Sequence, residues 1–347
     1  MRIAIIQRRM DRLGGAERLV HNLAQGLARN GHAVDMFVYR YASKYWGDPN
    51  SQDYNVKFLK LQYIPKFLRI PMAGLYFRFK LRTYDVVNPH NTYTNHWMML
   101  AKLFNPKFPQ VIWYCNEPRR EVYHDVLDGE SHVHWQTSGR GNGLLGRLRI
   151  KNSRWRQRFL DKLAFKAMDR IFVNSTFSQA QVKKTFNMDA EVCHAGIELR
   201  PAAVETGTTA DYFLLVSRIV FHKNIETVLK AFAPLVESGK YATKLVIAGS
   251  GPDLEHLKER ARNLGMSDHV EFKGYVKDSE LDKLYAAAKF FIYIPFAEPF
   301  GLVLIEAMQY GIPVIGADDG GGRDIVEHGK EGFLVDVRNV DAVRVAI

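Results

Sequence analysis

The chain has 347 residues, 47% hydrophobic and 24% charged; this is globular, excludes a disordered chain and implies two domains. No apolar run reaches the length a membrane-spanning helix needs. The net charge of +11 is uneven: residues 1–200 hold 32 Lys and Arg against 16 Asp and Glu, residues 201–347 hold 16 against 21, so the basic first half points to an acidic partner, whether anionic lipid, phosphorylated substrate or nucleic acid.

Arg2 to Ile6 reads as a first strand, with too few apolar residues before charge returns for a signal peptide. Gly14-Gly15-Ala16-Glu17 follows, then a helical pattern with Leu19, Val20, Leu23, Leu27 and Ala28 on one face. Gly31-His32 ends it, and Ala33 to Tyr39 is the next strand. Glycines at a strand-to-helix turn let the backbone approach a phosphate; a glycine pair also makes an ordinary turn. Residues 41–82 are irregular and dense in aromatic and basic residues, which fits a membrane surface or a solvated basic face.

Tyr84 to Asn88 is a strand ending in Pro89-His90-Asn91. Val111 to Cys115 is another, ending in Asn116-Glu117-Pro118-Arg119-Arg120. Both ends are expected in one crevice, since ligands of open α/β sheets bind beyond the carboxyl ends of strands. Glu117, Arg119 and Arg120 are candidates for an acceptor phosphate or acidic sugar, and surface ion pairing fits them equally. Cys115 and Cys193 have neither metal nor redox spacing and read as buried, reduced thiols of a cytosolic protein. A glycine-rich segment at 139–143 reads as flexible. The basic helical pattern after it carries Leu144, Leu145, Leu148, Trp155, Phe159, Leu160, Leu163 and Phe165. The segment suits docking on anionic lipid or on the acceptor, or a solvated surface helix; the lipid reading is preferred for residues 144–158 and the surface helix for the remainder. Asp169 to Asn174 is a strand, Ser175 caps the next helix, and Val192 to Ile197 closes the first domain.

Pro201 to Thr209 mixes small, polar and Pro residues where the charge balance changes sign, and is placed as the linker between domains 1–200 and 201–347. A second α/β series follows. Tyr212 to Val216 is a strand leading to Ser217-Arg218 and Lys223, then a helix from Asn224 to Val236. Lys244 to Ala248 ends in Gly249-Ser250-Gly251-Pro252, Leu254 to Leu264 is helical, and Val270 to Phe272 leads to Gly274-Tyr275-Val276. Ser279 to Ala288 is a helix, Phe290 to Ile294 a strand, and Pro313 to Ile315 another that exits at Gly320-Gly321-Gly322. This alternation argues a parallel sheet covered by helices. Arg218 and Lys223 share a strand-to-helix loop, where an Arg fork and a Lys point charge suit a diphosphate. Two solvated surface bases are the plain alternative.

Phe290 to Met308 is the most informative stretch. Pro295 stops the strand, Glu298 and Pro299 follow, and a helix is expected from Phe300 with Pro299 at its first position. The N–H groups of Phe300, Gly301 and Leu302 would then meet an anion. Glu306 would lie roughly 10 Å along the axis from Pro299, so that two carboxylates bracket a diphosphate with a sugar at each end.

The pattern Glu298-Pro299-Phe300-Gly301 with Glu306 resembles the Glu-x7-Glu motif of the retaining glycosyltransferases of family 4. The resemblance implies the GT-B fold, with two Rossmann-like domains facing across a cleft. It implies that Glu298 contacts the transferred sugar, that Glu306 binds the ribose, and that Arg218 and Lys223 bind the diphosphate and stabilise its departure, with Ser217 and Asn224 standing where the family pattern has glycines. Gly14, Gly15, Gly249, Val276, Phe300, Gly301 and Leu302 complete the implied donor-binding set. The family's acceptor-side His corresponds to Asn116 here, which leaves His90 as a substitute. The implied reaction moves a hexose, by resemblance mannose, from a GDP- or UDP-linked donor to a hydroxyl of a lipid-linked or cell-surface glycan. No cofactor is implied, and no metal is expected because no Asp-x-Asp pair stands at the phosphate site. The expected place is the cytoplasm, on the inner face of the cell membrane. After Phe333-Leu334-Val335 only Val340 to Ile347 remain, so the terminal crossover helix of the family is expected to be absent or short. Three other readings are a GT-B sugar-nucleotide epimerase, a basic nucleic-acid-binding protein, and a Rossmann dehydrogenase. The dehydrogenase is disfavoured by the lack of G-x-G-x-x-G after the first strand. The nucleic-acid reading is disfavoured because the phosphate-site residues lie in the acidic half.

Overall fold

A computed structural model describes all residues except 13, 104, 121, 124–143, 200–209 and 240–242, and leaves the side chains of 62, 66 and 144–153 undescribed. The linker expected at 201–209 and the glycine-rich 139–143 fall outside it. The chain divides into two compact units, Met1–Gly196 and Ile197–Ile347.

The first unit runs β1 (Arg2–Ile6), β2 (Arg9–Met10), α1 (Gly15–Arg29), β3 (Ala33–Val38), β4 (Arg40–Tyr41), α2 (Ser43–Trp46), β5 (Asn55–Phe58), α3 (Arg69–Lys80), β6 (Val86–Pro89), α4 (Thr94–Lys102), β7 (Gln110–Cys115), α5 (Leu144–Lys166), β8 (Arg170–Val173), α6 (Thr176–Phe186) and β9 (Glu191–Val192). Seven strands form one parallel sheet in the order β5-β3-β1-β6-β7-β8-β9. Ile3 to Ile6 of β1 are all buried, as expected for a central parallel strand covered on both faces. The chain leaves β1 towards β3 and β5, then returns to β6 on the other side. The strand order therefore reverses between β1 and β6, and Gln7 and His90-Asn91 flank that point.

The second unit runs β10 (Tyr212–Val216), α7 (Ile225–Glu237), β11 (Lys244–Ala248), α8 (Leu254–Asn263), β12 (Val270–Gly274), α9 (Asp278–Ala287), β13 (Phe290–Tyr293), α10 (Leu302–Met308), β14 (Val314–Ala317), β15 (Gly332–Val335) and α11 (Val340–Ala346). Its six strands are parallel in the order β12-β11-β10-β13-β14-β15. The order reverses between β10 and β13, so the loops after these two strands share one crevice, the place where open α/β sheets bind ligands. α7 packs Val228, Leu229 and Phe232 onto β10 and β11. Phe232 stands edge-on to Phe213, and truncating such a buried ring costs about 3–5 kcal/mol.

Several expectations are corrected. The irregular stretch 41–82 contains an edge strand, β5, and a helix, α3, whose Pro71 is tolerated because it lies in the first turn. The helix expected from Pro299 begins only at Leu302, since Gly301 takes the left-handed region at φ 103° and breaks the run. Glu306 is consequently in the middle of a seven-residue helix. Cys115 is buried, and Cys193 is exposed at the edge of the sheet. No described helix is long and apolar enough to cross a membrane.

Candidate active site

The loop after β10 carries Arg218 and Lys223. Ser217 and Ile219 extend the pairing with β11, their N–H groups donating to Ala248 O and Ser250 O. A Cβ on Gly249 would lie 1.8 Å from Ser217 O, and one on Gly251 would lie 1.9 Å from Ile219 O. Only glycine admits this approach, and it sets Arg218 beside the Gly249–Gly251 turn. Arg218 is exposed. Val276 is buried and packed with Leu214, Val246 and Tyr285.

Lys223 ends a short 3-10 turn, Phe221–Lys223. Asn224 follows at φ 54° and ψ 32°, the left-handed region that Asn tolerates better than most residues. Its side-chain amide donates to Ile294 O and Val337 O, each at 3.1 Å, and its oxygen accepts from Thr227 Oγ1 at 2.7 Å. Asn224 thus supplies the turn that a glycine would make, and also ties the loop to the end of β13. The Phe296 N–H donates to His222 O, a second tie between the two loops.

These ties bring Lys223 to Glu298. Lys223 Nζ donates to Glu298 Oε2 at 2.6 Å and to Tyr293 Oη at 2.8 Å. Burial by itself would lower the Lys223 pKa; the Glu298 charge and Tyr293 outweigh it and hold the ammonium above its usual range. Burial, and next the Glu298 charge, push the Tyr293 hydroxyl up. At neutral pH Lys223 is therefore an ammonium and Tyr293 a neutral phenol. Glu298 is fixed by its backbone as well. It bridges Gly320, and Gly321 N–H donates to Glu298 O at 2.8 Å. A Cβ on Gly320 would lie 2.4 Å from Glu298 O, and one on Gly321 would lie 2.1 Å from Pro299 O. Neighbouring Ala297 sits at φ 46°, a strained conformation for a residue with a side chain. Glu306 is buried, and its Oε2 accepts from Tyr285 Oη at 3.2 Å.

In the first unit Gly14 caps α1 in extended backbone and Gly15 opens the helix. The ends of β1, β6 and β7 are joined by amides: Asn91 Nδ2 donates to Gln7 Oε1 at 2.9 Å and Asn116 Nδ2 to Asn91 Oδ1 at 3.1 Å. Beside this chain lies a cavity of about 530 Å³, lined among others by Arg8, Arg9, Arg12, Glu17, Tyr93 and Arg119. Arg8 and Arg119 both lie over the Tyr93 ring, at 5.0 and 5.2 Å. Asn91 and Tyr93 adopt positive φ, 60° and 76°, so the loop after β6 is held in a strained shape at this cavity. Burial pushes the Glu17 carboxyl up.

Two acceptor-side expectations are corrected here. His90 is fully buried and stacked on Tyr114, with Nε2 2.6 Å from Asn88 Oδ1; burial lowers its pKa to about 3, so its side chain is a neutral part of the core. Arg119 spends its fork on Asp161, at 2.8 and 2.7 Å, and Asp161 also meets His96 and Tyr123. Burial would raise the Asp161 carboxyl; the bonds from His96 and Arg119 win and lower it. Arg120 pairs with Glu117 at 2.8 Å. Arg119 borders the cavity with its fork already occupied, while Arg8 and exposed Arg12 make no ion pair within 4 Å among the described residues. Tyr93, Gln7 and Arg8 were not singled out from the sequence; the run Gln7-Arg8-Arg9 after a first strand was the available signal. Tyr293 was taken for core, and its hydroxyl at the end of an otherwise apolar strand was the clue.

Residues 13–200 match the family description Glycosyltransferase Family 4, and residues 198–347 match Glycosyl transferases group 1. A GDP-mannose-dependent alpha-(1-6)-phosphatidylinositol monomannoside mannosyltransferase of Mycobacterium tuberculosis is 37% identical over 140 residues, 38% of this chain and 36% of that protein. This match spans about a third of that relative's length. The alpha-1,3/1,6-mannosyltransferase alg-2 of Neurospora crassa is 27% identical over 387 aligned residues, covering 94% of this chain and 78% of the relative. Among solved structures, the lipopolysaccharide outer core galactosyltransferase WaaB superposes with a TM-score of 0.71 at 18% identity, covering 100% of this chain and 89% of that one. The chain belongs to glycosyltransferase family 4, with the GT-B fold.

Proposed function

We propose that this glycosyltransferase moves a hexose, preferentially mannose, from a GDP-linked donor to a hydroxyl of a lipid-linked or cell-surface glycan, with retention at the anomeric carbon. The observation that carries the reading is the Lys223–Glu298–Tyr293 group at the strand-order reversal of the second unit, with Arg218 in the same loop. Preorganised cations there would stabilise the charge that develops on the departing diphosphate. When the anomeric C–O bond breaks, its electron pair goes to that diphosphate. The acceptor oxygen adds on the same face, and its proton passes to the departing phosphate. Arg218 and Lys223 hold the diphosphate, Glu298 is released from Lys223 to the sugar hydroxyls, and Glu306 serves the ribose from beside Tyr285. Because two side-chain cations meet the leaving group, the transfer needs no metal.

The two mannosyltransferase relatives support the sugar, and the GDP-mannose and phosphatidylinositol monomannoside named for one of them support the guanine nucleotide and a lipid-linked acceptor. Neither an epimerase nor a nucleic-acid-binding protein is favoured, since these relatives are transferases. The arginine-lined cavity of the first unit supports an acceptor with an anionic group near its hydroxyl. Residues 144–158 were expected to meet an anionic membrane; Trp155 is 65% exposed, and the side chains of 144–153 lie outside the described residues. Association with the inner face of the membrane belongs to this reading. The test is product analysis after incubation with GDP-mannose, or the UDP-linked equivalent, and lipid extract, with the anomeric configuration read by NMR. An inverted product would refute retention, and hydrolysis alone with every acceptor would refute transfer.

A further inference from the structure

We propose that the face formed by residues 63–68 and α3 seats the first unit on an anionic lipid bilayer. The proposal deepens the membrane association above and rests on that reading, but it is independent of the sugar-transfer chemistry. α3 turns Ala73, Gly74 and Phe77 inward. A Cβ on Gly74 would lie 2.5 Å from Leu100 Cβ, so glycine lets α3 press closely onto α4. The opposite side carries Leu68, Met72, Leu75, Tyr76 and Phe79, all exposed. At about 100° per residue these five fall within an arc of roughly 100°, an apolar stripe turned away from the core. Tyr63 and Phe67, in the 3-10 turns just before α3, are 78% and 79% exposed and Phe79 is 58% exposed. An exposed apolar surface of this kind is a binding surface rather than ordinary solvent-facing protein.

Charge selects the occupant. Residues 54–84 hold seven Lys and Arg and no Asp or Glu. On the helical wheel Arg69 and Lys80 fall on one flank of the stripe and Arg78 on the other. The Arg82 guanidinium lies 4.8 Å over the Phe79 ring, and Arg78 donates to Leu103 O. Bases flanking projecting aromatic side chains are what an interfacial helix presents to headgroups and acyl chains. A second copy of the chain would bring the same uncompensated bases to the contact and be repelled.

The test is co-sedimentation of the full chain with vesicles of phosphatidylcholine mixed with phosphatidylglycerol, against phosphatidylcholine alone. The wild type is expected to pellet only with the anionic vesicles and to release at about 1 M salt, where the Debye length falls to roughly 3 Å. A Phe67→Ser, Phe79→Ser variant should bind at least about tenfold more weakly. A Lys80→Gln, Arg82→Gln variant, which removes one base flanking the stripe and the base over the Phe79 ring, should lose roughly fivefold per base. An Arg154→Gln, Trp155→Ser variant on α5 should lose less than either α3 variant. Unaltered melting confirms that the substituted exposed side chains do not hold the fold, and the charge variant keeps the test valid if the aromatic one unfolds. Pelleting that ignores the α3 substitutions but depends on Arg154 and Trp155 would overturn this face while sparing membrane association; no pelleting at all would overturn both. A dimer in sedimentation velocity that Phe67→Ser, Phe79→Ser dissolves would assign the face to a second copy and overturn the proposal.

Discussion

Replacing Lys223 by Met leaves the Glu298 carboxylate with no ammonium at 2.6 Å. At an effective dielectric of about 20 the gross attraction at that separation is roughly 6 kcal/mol, and desolvation of the two ions opposes it by several kcal/mol. The intact pair therefore adds little net stability, whereas removing one partner strands a charge. Stranding a fully buried charge costs about 3–5 kcal/mol. Lys223 and Glu298 keep 13% and 20% side-chain exposure, and solvent screening reduces the cost to about 2–3 kcal/mol. For a unit of this size that lowers the melting temperature by roughly 5–10 °C. Glu298→Gln strands the ammonium instead and is expected to cost about the same. The double variant Lys223→Met, Glu298→Leu removes both charges and should return to within about 1 kcal/mol of wild type. Urea unfolding of the four proteins gives the coupling directly. Single variants within about 0.5 kcal/mol of wild type, or strictly additive losses, would refute Lys223 and Glu298 as a part-buried pair in which each charge compensates the other.

The remaining predictions concern pH and metal. His90 is held neutral by burial down to about pH 3, whereas an unfolded chain protonates it near 6.5. The unfolded state binds the extra proton between these values, so stability present above about pH 6.5 is lost as pH falls. The loss is about 2 kcal/mol between about pH 7.5 and about pH 5, and a His90→Asn variant should flatten that part of the urea-derived stability profile; an unchanged profile would contradict the buried neutral assignment. The transfer reaction is expected to survive excess EDTA, because Arg218 and Lys223 meet the leaving charge; a stringent requirement for added manganese or magnesium would show that they do not suffice.

The strand and helix sequence of the second half was legible because its strands are short apolar runs such as Tyr212 to Val216 and its turns are glycines with steric reasons to be there. Lys223 and Glu298 were singled out from their residue types, their spacing and the family resemblance. That they bond to one another was not legible, since 75 positions separate them and only the neighbouring placement of β10 and β13 brings them together. The helix start near Pro299 was misread because Pro signals a first turn, while the left-handed Gly301 decides where the turn begins. Gly320 and Gly321 looked like a strand exit; their purpose, backbone contact with Glu298 and Pro299, is tertiary. In the first half α3 was hidden by its composition. With apolar and basic residues all round, it lacks the period that marks a helix packed on one side and wetted on the other. His90 was placed near an acceptor because strand ends usually are; its fit against Tyr114 turns it inward.

Calorimetric titration of a nucleoside diphosphate into the wild type and the Arg218→Ala, Lys223→Ala variant tests the donor site most directly. Charged hydrogen bonds contribute about 1.5–3 kcal/mol each, so the double variant is expected to lose at least about a hundredfold in affinity, and Arg218→Ala, which removes only an exposed side chain, at least about tenfold with an unchanged melting temperature. Equal affinity in all three proteins would contradict the assignment of the β10 loop to the donor diphosphate.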